Sequence, residues 1–332
     1  MSSEEEENAP GWDAIDDALE PFYHAQEPVH WAPEIPRLLG GPDPLDGISA
    51  YASDAGGIPH WHYVTYGFTE LFDKETEDED VSGFGFELTF RLKREDDAPP
   101  QWPVDLLQSL ARYVFDSGNP FGAGHGIGVG GSIAHDRESE LTAVTFVRDP
   151  ELAPLHTLHG RVEFLQVVGL TAEEFDARKR WSTDHLLDLM RPANPMFVSD
   201  LDRPSLLADP ANRAAVEAGI ARDGSSLREV MANVSWREEN GRYHIELDVR
   251  DAEELVRAID SRLAHQREFG LLGEQQGVGF LPAEEAAVTV DEALLLISVD
   301  ETLMAELRAL PLVAGRYTAK ALPVEFSVAE SG

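Results

Sequence analysis

The sequence contains no cysteine. Thiol catalysis, disulfide stapling and cysteine-ligated zinc are excluded at once, and a reducing compartment is the natural setting. Basic side chains are scarce as well: 26 Lys and Arg stand against 62 Asp and Glu, for a net charge of −36. Such a surface repels phosphate backbones and anionic headgroups, so neither nucleic acid nor membrane is an expected partner. Two readings of the acidity stay open: adaptation to salt or solubility, and attraction of a basic partner. No apolar run approaches the ~20 residues of a spanning helix. The opening MSSEEEENAP also lacks the basic and apolar regions of a signal peptide. A cytoplasmic protein is expected. The G-x-S-x-G elbow, H-E-x-x-H, a Walker loop and the zinc-deaminase signature are all missing. Carboxylates are too many to single out a catalytic pair, and no enzyme and no cofactor is expected.

What is present suffices for two domains. At 332 residues and 42% apolar content, the chain is about two units of ~150 residues. Residues 1–9 read as a disordered acidic tail. WDAIDDALEPFY (12–23) sets Trp12, Ile15 and Leu19 on one helical face and ends near Pro21. HWHYVTYGFTELF (60–72) favours a strand. VSGFGFELTFRLKR (81–94) alternates Phe84, Phe86, Leu88, Phe90 and Leu92 with Gly85, Glu87, Thr89, Arg91 and Lys93. That period of two predicts a half-buried strand, antiparallel to the one before it.

Helices are expected over 102–115, within 171–191 and over 212–224, and strands over 141–147 and 161–170. EVMANVSW (229–236) alternates Val230, Ala232, Val234 and Trp236 and predicts one more strand. Polarity peaks in REENGR (237–242), where a domain boundary is placed. Beyond it, strands over 243–249, 294–299 and 322–328 and helices over 252–269 and 301–310 complete a smaller unit. There is no internal repeat, and no strict βαβ rhythm. The fold class read here is α+β, with domains over 10–236 and 243–330, each a mixed, mainly antiparallel sheet with flanking helices.

Two patterns invite chemistry. Gly126, Gly128 and Gly131 match G-x-G-x-x-G, but an expected helix precedes them and IAHDRESE follows, whereas a dinucleotide site needs a strand before and an apolar helix after. A mobile loop or a close backbone approach is the better account. His60 and His62 flank Trp61 on one strand face, a spacing that can hold zinc. A His-dependent metal enzyme is therefore a minor alternative. Against it stands the ordinary outcome, ring nitrogens bonded to backbone or carboxylates beside a buried tryptophan, and no metal is expected.

Taken in order, LGGPDPLDGIS, IPHWHYVTYGFTELF, SGFGFELTFRLKR, WPVDLLQSLARYVF and VEFLQVVGLT resemble the Suppressor of fused family. DGSSLREVMANVSW resembles the end of that family's N-terminal domain, and LLLISVDETLMAELRAL and ALPVEFSV, more weakly, its C-terminal domain. The resemblance implies a non-enzymatic, two-domain protein that takes an extended partner segment as an added strand in a cleft between its domains. Such a cleft offers unpaired main-chain groups for affinity and side-chain pockets for specificity. Carried over, the partner-binding positions are Tyr113, Phe121, Val230 and Ala232. His125 stands where animal members carry an aspartate that meets the ligand, so the animal peptide motif is not carried over. The ligand edge is placed at 230–235 with the loop around Phe121. Bacterial relatives imply an immunity protein, whose acidity suits a basic toxin. A general regulatory adaptor is the alternative.

Overall fold

The computed structural model describes residues 9–24, 26–35 and 37–330. The expected tail lies outside them up to residue 8. The chain forms two units: one runs to Phe175 and resumes over Leu187–Ala208, and the other holds Asp176–Leu186 and everything from Asp209.

The first unit contains α1 (Pro10–Tyr23), β1 (Val29–Trp31), β2 (Gly47–Ser53), β3 (His60–Tyr66), β4 (Val81–Lys93), α2 (Trp102–Ser117), β5 (Gly126–Gly128), β6 (Leu141–Arg148), β7 (Leu155–Thr157) and β8 (Gly160–Thr171). Then α3 (Ala172–Arg180) and α4 (Thr183–Met190) pass between the two units along the chain. The sheet order is β1-β2-β3-β4-β8-β6-β5, with β7 pairing off β8. Only β4 and β8 run parallel. On one face Phe86, Leu88, Phe90 and Leu92 pack with Trp102, Leu106, Leu107, Leu110 and Val114 of α2.

The other face departs from the sequence expectation. β4 is not half-buried, because Glu87, Thr89 and Arg91 are also removed from solvent. Helix α1 lays Ile15, Leu19 and Tyr23 on that side against Tyr51, Val64 and Tyr66, and the chain after β6 closes over the rest. The polar residues survive there because each is bonded. Glu87 accepts from the hydroxyls of Thr65 and Thr69 (both 2.6 Å) and the amides of Gly67 and Thr69 (both 3.0 Å). α1 also runs through Pro21 to Tyr23 instead of stopping at the proline. At the start of β4, Gly83 has φ +54°, and a Cβ there would come within 2.6 Å of the Phe68 carbonyl oxygen, so only glycine fits.

The second unit contains α5 (Pro210–Asp223), β9 (Glu229–Met231), β10 (Ser235–Glu239), β11 (Arg242–Asp248), α6 (Val249–Ser261), β12 (Phe269–Leu272), β13 (Gly277–Pro282), β14 (Ala287–Asp291), β15 (Leu294–Val299), α7 (Glu301–Leu307), β16 (Gly315–Thr318) and β17 (Val324–Ala329). It carries two sheets where one was expected, ordered β10-β11-β17-β16 and β14-β15-β13-β12-β9. One core joins Ile245, Leu255, Ile259, Leu271, Phe280 and Phe326. Asp248 and Asp300 cap α6 and α7 by accepting from the amides of Asp251 and Leu303.

Three expectations change here. The run 229–236 is two strands in two different sheets, parted at 232–234. The helix read over 252–269 ends at Ser261, and Phe269 opens β12. The segment 237–242 is the tip of the β10–β11 hairpin inside the second unit, its turn made by Asn240 (φ 53°) and Gly241 (φ 76°). The units divide instead at Ala208–Asp209. Polarity peaks at a hairpin tip as it does at a linker, which is why the two read alike.

Candidate functional site

The residues nominated from the sequence fall into two groups, one at a sheet edge of each unit. Phe121 and His125 lie on the loop between α2 and β5, and Tyr113 projects from α2. The rings form a stack: Tyr113 lies on Phe121 at 5.5 Å and 14°, and Phe121 on Phe146 of β6 at 4.0 Å and 17°. Phe121 is 9% exposed, whereas Tyr113 is 39% exposed and caps the stack. The His125 ring is exposed, and its Nδ1 accepts from the Gly122 amide at 3.2 Å.

The backbone here decides which groups face outward. Phe146 receives the Gly124 amide (2.8 Å) and donates to the His125 carbonyl (3.1 Å), so two residues oppose one in a bulge. The Val129 amide then bonds the Thr142 carbonyl at 3.1 Å. With His125 and Val129 turned toward β6, alternation turns the main-chain groups of Gly126 and Gly128 away from it. β5 ends the sheet, and among the described residues no strand pairs its outer side. A Cβ at Gly128 would meet nothing within 4 Å, so the face of the strand at that position is open.

In the second unit β9 is the edge of its five-stranded sheet and runs parallel to β12. The Ala232 amide bonds the Leu272 carbonyl at 2.8 Å, and the Gly270 amide bonds the Arg228 carbonyl at 3.0 Å. Residues 228, 230 and 232 thus face β12, and Glu229 and Met231 direct their main-chain groups outward. Val230 and Ala232 are partly buried against the core. Met231, which sequence reasoning passed over, is 59% exposed. Its signal was in the sequence: if Val230 and Ala232 face inward, the residue between them faces out.

Both histidines are buried, and His62 belongs to a polar network. His60 Nδ1 lies 2.7 Å from the Ile58 carbonyl oxygen, and His62 Nδ1 is 2.8 Å from the Tyr23 hydroxyl. His62 Nε2 sits 3.5 Å from Asp149. Arg91 grips the same carboxylate with both terminal nitrogens (2.6 and 3.1 Å) and also reaches Gln166 (2.7 Å) and Glu151 (2.8 Å). Burial, then the Arg91 charge, brings the His62 ring down to about 4. Asp149 is held well below the usual carboxylate range: burial opposes its charge, and His62 and Arg91 outweigh burial. A guanidinium beside the rings disfavours a metal ion there. The one trio of potential ligands close enough for a single ion among the described residues is Glu95, Asp200 and Asp202. Arg137 bonds Glu95 and Asp202, and Lys93 bonds Asp200, so the chain's own cations occupy all three carboxylates and offset two of their three charges.

The sequence model described as Suppressor of fused protein (SUFU) matches residues 41–204. The human and mouse proteins named Suppressor of fused homolog are each 40% identical over 215 residues, 60% of this chain and 44% of theirs, so the match spans less than half their length. The crystal structure of Drosophila Suppressor of Fused is similar over 100% of both chains, with TM-score 0.79 and 23% identity, which establishes the shared α+β fold. A chain of the Sufu–Fu complex crystal structure is 30% identical with TM-score 0.59, over 63% of this chain and 98% of that one.

Proposed function

The chain belongs to the Suppressor of fused family, and from that premise we propose that it is a non-enzymatic protein that inhibits a partner by holding an extended segment of it as an added strand. The partner is a basic protein. A toxin encoded beside this chain, neutralised by it as an immunity protein, is the form that the net charge of −36 fits, because such a field speeds encounter with a cation-rich surface. The observation that carries the reading is the open edge at each nominated group: outward glycines on β5 beside Tyr113, Phe121 and His125, and outward Glu229 and Met231 on β9 beside Val230 and Ala232. Main-chain bonds at an edge give affinity, and side chains alternating along the guest give specificity. The solved Sufu–Fu complex supports a protein ligand for this family.

Met231→Pro tests the reading. It removes an outward amide, leaves the bonds to β12 untouched and suits an edge strand. Calorimetric titration of the neighbouring gene's product into wild type and variant, at low and high salt, should show affinity weakened about tenfold at both, the loss of one or two main-chain hydrogen bonds, with melting unchanged. Affinity that ignores the proline and collapses with salt would assign binding to an acidic face and end the strand-addition account.

A further inference from the structure

A groove of about 390 Å³ runs along α1 of the first unit, between the helix and β1–β2. Trp12, Tyr23, His24, His30 and Tyr51 are among the residues that line it. Tyr23 and Tyr51 stack at 4.4 Å, and Trp12 stacks on Tyr66, also at 4.4 Å, while lining the groove. Asp16 and Glu20 stand in its rim. Together with Asp13 and Asp17 they are spaced i, i+3, i+4 and i+7, which puts four exposed carboxylates on one helical face. Helix α1 contains no basic residue, and no ion pair reaches these four among the described residues. Burial holds the nearby His30 ring below its ordinary value, so it brings no compensating charge at neutral pH. Like charges at these spacings oppose helix formation; of the four, Asp13 suits the first turn of the helix and Asp16 Oδ1 accepts from the Tyr66 hydroxyl at 2.8 Å, which leaves Asp17 and Glu20 without a structural role of this kind.

We propose that this groove docks an arginine-bearing segment of a partner protein. The occupant follows from charge complementarity and from the walls: a guanidinium is flat, weakly hydrated and stacks on aromatic faces, and the carboxylates of Asp16 and Glu20 lie beside the rings to receive its N–H donors. A second copy of the chain is disfavoured by mutual repulsion at −36 each. The groove shares no residue with β5 or β9, so it stands or falls apart from the strand-edge reading.

The test uses the full chain and fluorescein-labelled hepta-arginine, with hepta-lysine as comparison. One variant, Asp13→Asn/Asp17→Asn/Glu20→Gln, removes three charges from the stripe. A control, Asp73→Asn/Glu77→Gln/Glu79→Gln, removes three from an exposed loop elsewhere. All six positions are exposed, so both variants should melt like wild type. Fluorescence anisotropy should show saturable hepta-arginine binding that weakens about tenfold in the helix variant, the sum of three exposed charge contacts, and less than about twofold in the control. Hepta-lysine should bind several-fold more weakly than hepta-arginine. Equal losses in the two variants, equal binding of the two peptides, or no saturable binding to wild type would each overturn the proposal.

Discussion

Arg91 is among the largest side chains with no solvent exposure, and its charge is met by Asp149 and Glu151 within the same enclosure. Arg91→Met would leave the Asp149 carboxylate buried without its cation, so the variant should lose about 3–5 kcal/mol, far above the cost of an exposed pair. Urea melts measure this, and a loss below about 1 kcal/mol would mean the network contributes little. Two other buried groups set opposite pH slopes. His62 is held at about 4 against an ordinary 6.5, so the stability it contributes is present above 6.5 and lost as pH falls toward 4. Burial pushes Glu87 up to about 7 from 4.5, against the pull of its four donors, so its contribution is present below 4.5 and lost as pH rises to about 7. In wild type the two slopes oppose each other over 4.5–6.5. His62→Asn should therefore leave a Tm that falls with rising pH in that window, and Glu87→Gln one that rises. Parallel profiles in the two variants would remove this account.

Packing between elements can overrule the preference of a single residue, as α5 shows. Gly219 sits inside that helix, where alanine is ordinarily favoured by ~1 kcal/mol. A Cβ there would lie 2.2 Å from the Trp181 ring, which is fixed by its Nε1 donating to Asp223 at 2.9 Å. Gly219→Ala should thus destabilise by about 1–3 kcal/mol, overpacking outweighing propensity; a rise in Tm would show the ring free to move. The same contest explains which elements the sequence revealed. Longer segments such as α2, β6 and β8 were legible from their apolar pattern over many residues, and β15 from its short apolar run. β5 and β9 have three residues each, too few for a period of their own: the sequence reads β5 as a glycine loop, and β9 only as part of one longer strand over 229–236. The burial of Glu87, Thr89 and Arg91 was illegible because alternation marks a polar face without saying whether α1 will cover it. The outward turn of Gly126 and Gly128 depends on which neighbour β5 pairs with, a long-range fact absent from local pattern.

At the scale of the whole molecule, the chain crosses between units more than once, and a composition shift cannot show that. Asp176–Leu186 lies in sequence within the first unit yet belongs to the second, where Lys179 pairs with Glu254 at 2.5 Å and Asp176 with Arg257 at 3.4 Å. Residues 209–236, read from sequence as the end of the first domain, supply α5, β9 and β10 to the second. A protease site engineered between Asn240 and Gly241 separates these alternatives. If the hairpin tip were a linker, the nicked pieces would part as folded domains. In this fold the cut falls at an exposed turn, while β10 stays paired to β11 over Ser235–Glu239 and Arg242–Glu246, and β9 stays paired to β12. The two pieces should therefore co-elute on gel filtration at low denaturant and separate only when the second unit unfolds. Each piece alone would carry unpartnered strands and expose β9 or β12 to aggregation. Elution of residues 1–240 as a separate, monomeric and cooperatively melting species would restore the boundary at 237–242 and sink the division at 208–209.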